Sequence, residues 1–193
     1  MKIFYIELNQ NIKKDKKKLQ SALGHYLTKN IAKTVYGVKN SEFIIENSKP
    51  KFKTNEIEFN ISHSNNIVTI AFDNYPLGLD VEQIKNRNLK ALKERYNLQH
   101  YEDETFFQFW TQYEAKIKIQ AEINQKFCFK LKDDYMLSLY CNNLEKKELE
   151  LFEIKTTEEI LTTENLETLI FNKDFNIIQK QIPTLKTPLE INV

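Results

Sequence analysis

Along the first part of the chain, apolar positions fall at a period of two and then at helical spacing. KIFYIEL, residues 2–8, alternates like a strand, in which successive side chains face opposite ways. From Lys13 to about Val35, Leu19, Leu23, Tyr26, Leu27 and Ile31 recur at the three- and four-residue steps of one helix face. Strand patterns follow in FIIE (43–46), EIEFNIS (56–62) and IVTIAF (67–72). Asn74 and Pro76 mark a turn, and LGLDVE opens a second half. That half repeats the order. Residues 89–97 and, more strongly, 103–122 carry helical spacing. FCFKL (127–131), YMLSLYC (135–141), ELELFEIK (148–155) and FNIIQKQI (175–182) then read as strands, with 157–170 undecided. Strand, long helix and several strands, stated twice, predict an α+β chain. The expected form is a pseudo-twofold pair of α/β lobes, residues 1–75 and 76–193, each a long helix packed on a mostly antiparallel sheet.

Composition changes this picture little. The 193 residues are 41% hydrophobic and 28% charged, enough to bury a core as one domain or as two small lobes in contact. With 28 basic against 27 acidic residues the net charge is +1, so no global field recruits nucleic acid or an anionic membrane. Any basic site is local. The apolar stretch in MKIFYIELNQ is too short for a signal-peptide core, and no apolar run approaches the roughly 18 residues of a membrane span. Cys128 and Cys141 fall in apolar, strand-like stretches and read as small buried hydrophobes. The expected home is the cytoplasm.

Candidate chemistry begins with PLGLDVEQI, residues 76–84. In an extended chain Asp80 and Glu82 share a face, about 7 Å apart, and repel unless something positive sits beside them. In FWTQYEAKIK, residues 109–118, Trp110, Glu114 and Lys118 form one helix row. One reading of that row is an exposed helix ion pair, acid before base, worth about 0.3–0.5 kcal/mol. The other joins Glu114 to Asp80 and Glu82 around one hard cation, with Lys118 neutralising an anionic ligand beside it; three carboxylates suit Mg²⁺ better than Zn²⁺. In FNISHSNN, residues 59–66, a strand gives way to a small polar turn in which Ser62 and Ser64 flank His63. His63 is either an exposed turn residue or an N–H donor to a phosphate oxygen. Lys49 and Lys51 of SKPKF add positive charge upstream, as do the lysines of KKDKKK (13–18), Lys29 and Lys33, unless these coat a solvated helix face.

Taken in order, KP, FNISHS, PLGLDVE and FWTQYEAKIK resemble the 4′-phosphopantetheinyl transferase superfamily, specifically the larger type that activates surfactin synthetase. Family members carry Gly-Lys-Pro, Asn-x-Ser-His-Ser, Gly-(Ile/Val)-Asp-(Ile/Val)-Glu and Trp-x-x-Lys-Glu-(Ala/Ser)-x-x-Lys in that order, and the resemblance covers residues 45–118. It implies a monomer of two similar α/β lobes with coenzyme A in the cleft between them. It also implies transfer of 4′-phosphopantetheine to a serine of an acyl or peptidyl carrier protein, with release of adenosine 3′,5′-bisphosphate. By the same resemblance Asp80, Glu82 and Glu114 would hold Mg²⁺ against the pyrophosphate, and Glu114 would help deprotonate the serine. Lys118 and His63 would contact the pyrophosphate with Ser62 nearby, and Lys49 would lie by the nucleotide end.

Three positions depart from the family pattern. Tyr113 replaces the lysine before the glutamate, Ser48 replaces the glycine before Lys49, and IQAEINQKF (119–127) has no glycine. The missing glycine predicts a helix running on to about Asn124, a residue that tolerates a left-handed cap. Rival readings are a homologue that binds coenzyme A or a carrier protein without transfer, a Mg²⁺-dependent hydrolase acting on phosphate esters, and a structural α+β domain with ordinary surface ion pairs.

Overall fold

The computed structural model describes residues 1–9, 12, 15–46, 49–54, 56–85, 88–119, 125–142, 149–157, 160 and 162–190. Ser48 and the predicted helix extension through residue 124 lie outside these. The described chain mixes helix and sheet, as the periodicity predicts, in three sheets. The first has five strands: β10 (Phe175–Lys180), β9 (Glu150–Thr156), β1 (Lys2–Glu7), β5 (Ile67–Asp73) and β4 (Glu58–Ser64), in that spatial order. The second has three: β6 (Leu77–Gln83), β8 (Tyr135–Cys141) and β7 (Gln125–Leu131). A two-stranded ribbon joins β2 (Phe43–Glu46) to β3 (Lys49–Phe52). Among the described residues the strand pairs are antiparallel except β1 with β9, where Lys2 lies opposite Glu150 and Ile6 opposite Ile154.

The layers follow from which face each residue supplies. Helix α1 (Lys16–Tyr36) buries Leu19, Leu23, Leu27 and Ile31 in one core with Phe4, Ile6, Ile70 and Phe72 of the five-stranded sheet. Gly37, at φ 69°, ends α1 in the left-handed conformation that glycine adopts without a Cβ penalty. Ile3, Tyr5 and Ala71 point to the other face of that sheet, where they meet Leu79, Val81, Leu137 and Leu139 of the second sheet. β1 and β5 are therefore covered on both faces, which explains why β1 is a near-continuous apolar run rather than the half-polar alternation read from the sequence. On the far side of the second sheet, helix α3 (Asp103–Ile119) packs Phe106 and Phe107 against Cys128 and Met136. Both cysteines are buried, as their apolar setting predicts.

The element reading is close. The short helix α2 (Lys90–Arg95) lies inside the predicted 89–97, and 157–170 contains helix α4 (Thr163–Thr168), followed by the single turn α5 (Phe171–Asp174). SKPKF, read only as a source of charge, contributes β3. β9 and β10 return from the far end of the chain to complete the first sheet. A cut at residue 75 therefore separates β1 from a strand it pairs with. Among the described residues no helix is long and apolar enough to cross a membrane.

Candidate active site

The site lies where the two large sheets meet edge to edge. β4 is the last strand of one and β6 the last of the other, and side chains of β4 bridge them in place of backbone carbonyls. Asn60 Oδ1 accepts the Leu79 N–H at 3.2 Å, Ser62 Oγ the Val81 N–H at 3.2 Å, and Ser64 Oγ the Gln83 N–H at 3.1 Å. A hydroxyl has one proton to give as well as lone pairs to receive. Ser62 gives its proton to Asp80 Oδ1 at 2.8 Å, and Ser64 gives its proton to Glu82 Oε2 at 2.8 Å. The alternation Asn-x-Ser-x-Ser thus matches the period of the neighbouring strand residue for residue.

On β6, Leu77, Leu79 and Val81 face the core between the sheets, so Gly78, Asp80 and Glu82 face the other way, as the period of two predicts. Gly78 lets α3 lie almost directly on this strand. A Cβ there would stand 2.0 Å from the Ala115 carbonyl oxygen and 3.1 Å from the Ile119 nitrogen. That close approach sets Lys118 against Asp80: Lys118 Nζ donates to Asp80 Oδ1 at 2.7 Å and to the Leu79 carbonyl at 3.0 Å, with Ser62 Oγ at 3.4 Å. From deeper in α3, the buried Thr111 hydroxyl meets Ser138 Oγ of β8 at 2.8 Å and pins the helix to the sheet.

Burial sets the electrostatics. Asp80 is 6% exposed, and burial pushes its carboxyl above the usual aspartate range, against the pull of the Lys118 charge and the hydrogen bonds from Lys118, Ser62 and the Val81 amide. Its Oδ2 is buried and has no hydrogen-bond partner among the described residues. Glu114 is also pushed up, by burial first and the Asp80 charge second, with Lys118 opposing. The positive charge next to Asp80 is thus Lys118. Among the described residues no three histidine, cysteine or carboxylate side chains close into a metal-binding group. The chemistry of the donors nevertheless suits a hard divalent cation: carboxylate oxygens, one of them on Asp80 buried, and an Asp80 charge raising Glu114 that a cation would relieve, with Glu82 held by Ser64.

A cleft of about 350 Å³ opens beside this cluster, lined by Lys49, Lys51, His63 and Lys118 among polar and apolar neighbours. Three ammonium groups on one cleft suit an anion. Burial depresses the Lys49 ammonium and the charges of Lys118 and Lys51 depress it further, while Lys51 is itself paired with Glu46 at 2.8 Å. His63 is held below the ordinary histidine range, chiefly by burial and also by the Lys118 and Lys17 charges, so at neutral pH it is an uncharged ring with one N–H to give. Ser62 lies behind, its hydroxyl engaged with Asp80 and the Val81 amide. Ser21 and His25 of α1 also line the cleft and escaped the sequence reading, although their one-turn spacing puts them on one helix face. Lys29 lies over the Phe43 ring, and Lys16 bonds Asn65 and Asn66 just past the end of β4. Tyr113 joins an aromatic row with Tyr96, Phe109 and Trp110.

No family model matches the chain. Three characterised proteins do. The 4′-phosphopantetheinyl transferase psf-1 of Bacillus pumilus is 30% identical over 117 residues, 53% of this chain and 50% of its own. The 4′-phosphopantetheinyl transferase gsp of Aneurinibacillus migulanus is 30% identical over 112 residues, 51% and 47% of the two chains. The 4′-phosphopantetheinyl transferase Sfp of Bacillus subtilis is 28% identical over 109 residues, 46% and 49%. The chain spans about half the length of the curated relatives it matches. Over that half the chain is similar to these three 4′-phosphopantetheinyl transferases.

Proposed function

We propose that this chain is a 4′-phosphopantetheinyl transferase: it moves 4′-phosphopantetheine from coenzyme A to a serine of an apo acyl or peptidyl carrier protein and releases adenosine 3′,5′-bisphosphate. The observation that carries the reading is Lys118, held on buried Asp80 at the mouth of a cleft that Lys49 and His63 also line. In this scheme the serine Oγ attacks the phosphorus next to pantetheine, a new Oγ–P bond forms, and the bond to the adenosine-side phosphate breaks. Glu114, whose carboxyl is raised toward neutrality by burial and by Asp80, accepts the serine proton. Lys118 meets the charge that grows on the phosphate oxygens, and His63 donates its ring N–H to the same group. Lys49 takes the nucleotide end. Asp80, Glu82 and Glu114 are the residues to hold Mg²⁺, which when bound supplies positive charge to the pyrophosphate.

We further read the molecule as a cytoplasmic monomer of pseudo-twofold design, with lobes at 1–75 and 76–193. Support lies in the two long helices, each laid on a mostly antiparallel sheet, with the cleft lined from both α1 and α3. The test is intact-protein mass spectrometry of an apo acyl carrier protein, and then an apo peptidyl carrier protein, incubated with this chain, coenzyme A and Mg²⁺. A gain of one phosphopantetheine, abolished by EDTA and by Glu114→Gln, is the expected result. No gain on either carrier, with coenzyme A still bound, would overturn transfer in favour of simple binding.

A further inference from the structure

The two serines of β4 perform the same operation twice. Each accepts the N–H of one β6 residue and donates to the carboxylate of the residue before it: Val81 and Asp80 for Ser62, Gln83 and Glu82 for Ser64. The third member of the ladder, Asn60, serves the Leu79 N–H, and the residue before that is Gly78, which has no carboxylate to receive a proton. The pairing of hydroxyl with acid is therefore matched to where the acids stand. An amide at one end of the serine and a carboxylate at the other fix the carboxylate relative to its own strand. That leaves it fewer rotamers than a free surface glutamate has.

We propose that Ser64 is a positioning residue for Glu82, acting through that carboxylate on the cation site rather than on the substrate. The inference rests on the reading of Asp80, Glu82 and Glu114 as cation ligands. Ser62 has the same geometry toward Asp80, but it also neighbours Lys118 Nζ, so Ser64 is the member of the pair that isolates the effect. Losing a hydrogen bond to a metal-ligating carboxylate costs about 10- to 100-fold in metal affinity.

The test is Mn²⁺ binding by the whole chain, read from the electron paramagnetic resonance signal of free Mn²⁺ in the presence of coenzyme A, with thermal unfolding run in parallel without metal. In Ser64→Ala, Mn²⁺ affinity is expected to fall about tenfold. Ser64→Thr, which keeps the hydroxyl, stays within about twofold of wild type. On a Glu82→Ala background, Ser64→Ala adds no further loss, because the carboxylate through which it acts is gone. A role in fold stability alone would instead lower the unfolding temperature and leave Mn²⁺ affinity where it was. Equal affinity in wild type and Ser64→Ala, or equal losses on both backgrounds, overturns the positioning role and spares the cation site. A wild-type chain that binds no Mn²⁺ overturns the cation site and the positioning role together. A chain that binds Mn²⁺ yet transfers nothing to either carrier overturns the reaction alone.

Discussion

Burial decides how Asp80 and Glu114 behave. A carboxyl raised above its unfolded value holds its proton more tightly in the folded chain, so ionising it there costs stability. That cost is absent below the unfolded pKa, grows as pH climbs through the window between the two values, and is complete above the folded one. Replacing Glu114 by Gln removes it. Without divalent metal, the stability of Glu114→Gln relative to wild type is expected to rise across that window, and thermal denaturation at a series of pH values measures it. A difference that stays flat with pH contradicts the burial argument. Lys118 acts in the opposite sense. Lys118→Met strips Asp80 of its charged partner and is expected to cost about 2 kcal/mol near neutral pH, the scale of a hydrogen bond to a charged group. The loss shrinks in acid, where Asp80 takes up a proton. Urea titrations at both pH values check this, and the same variant should lose transfer in the mass assay.

Elements bring these residues together, and Gly78 is where two of them touch. In Gly78→Ala the new methyl would meet the Ala115 carbonyl, so α3 must lift from β6. The expected destabilisation is about 3 kcal/mol, at the upper end for overpacking, and Lys118 is drawn away from Asp80. Denaturant unfolding measures the first effect, and coenzyme A affinity by calorimetry the second. Much of this scale could be read from the sequence, because local spacing determines it. The period of two put Asp80 and Glu82 on one face, and the four-residue step put Glu114 and Lys118 on one row. Local spacing says nothing, however, about which strand edge faces which. The serines of NISHS read as members of a small polar turn, whereas they are rungs between sheets, since the register of β4 against β6 depends on the whole fold. β3 was missed for a related reason: Lys-Pro-Lys-Phe has weak strand character, and its pairing with β2 outweighs propensity.

At the scale of the whole molecule, the two halves read from the pattern share a strand pair across the cut at residue 75. β1 is flanked by β5 on one side and β9 on the other, so residues 1–75 alone leave it with one open edge. Ile3, Tyr5 and Ala71 would also lose the second sheet that covers them. A fragment of residues 1–75 is therefore expected to lack a cooperative thermal transition by circular dichroism, while the full chain has one. A cooperative transition in the fragment would restore the first half as a self-standing unit. This crossing left no local mark in the sequence. ELELFEIK and FNIIQKQI announce strands, but an apolar strand carries no address for a partner on the far side of the chain.

The parallel pairing of β1 with β9 also sets an order in time. During synthesis the chain emerges from its N-terminus, so β1 leaves the ribosome long before its partner Glu150–Thr156 exists. Until then Phe4 and Ile6 have α1 and β5 to pack on, but the sheet edge beside them stays open to water or to a wrong strand. Contacts this distant in sequence are slow to close. The cleft waits as well, though less long: its α1 wall is made first, and its α3 wall, which ends at Ile119, is made before β9. The hazard of mispairing is concentrated in the interval before Glu150–Thr156 arrives.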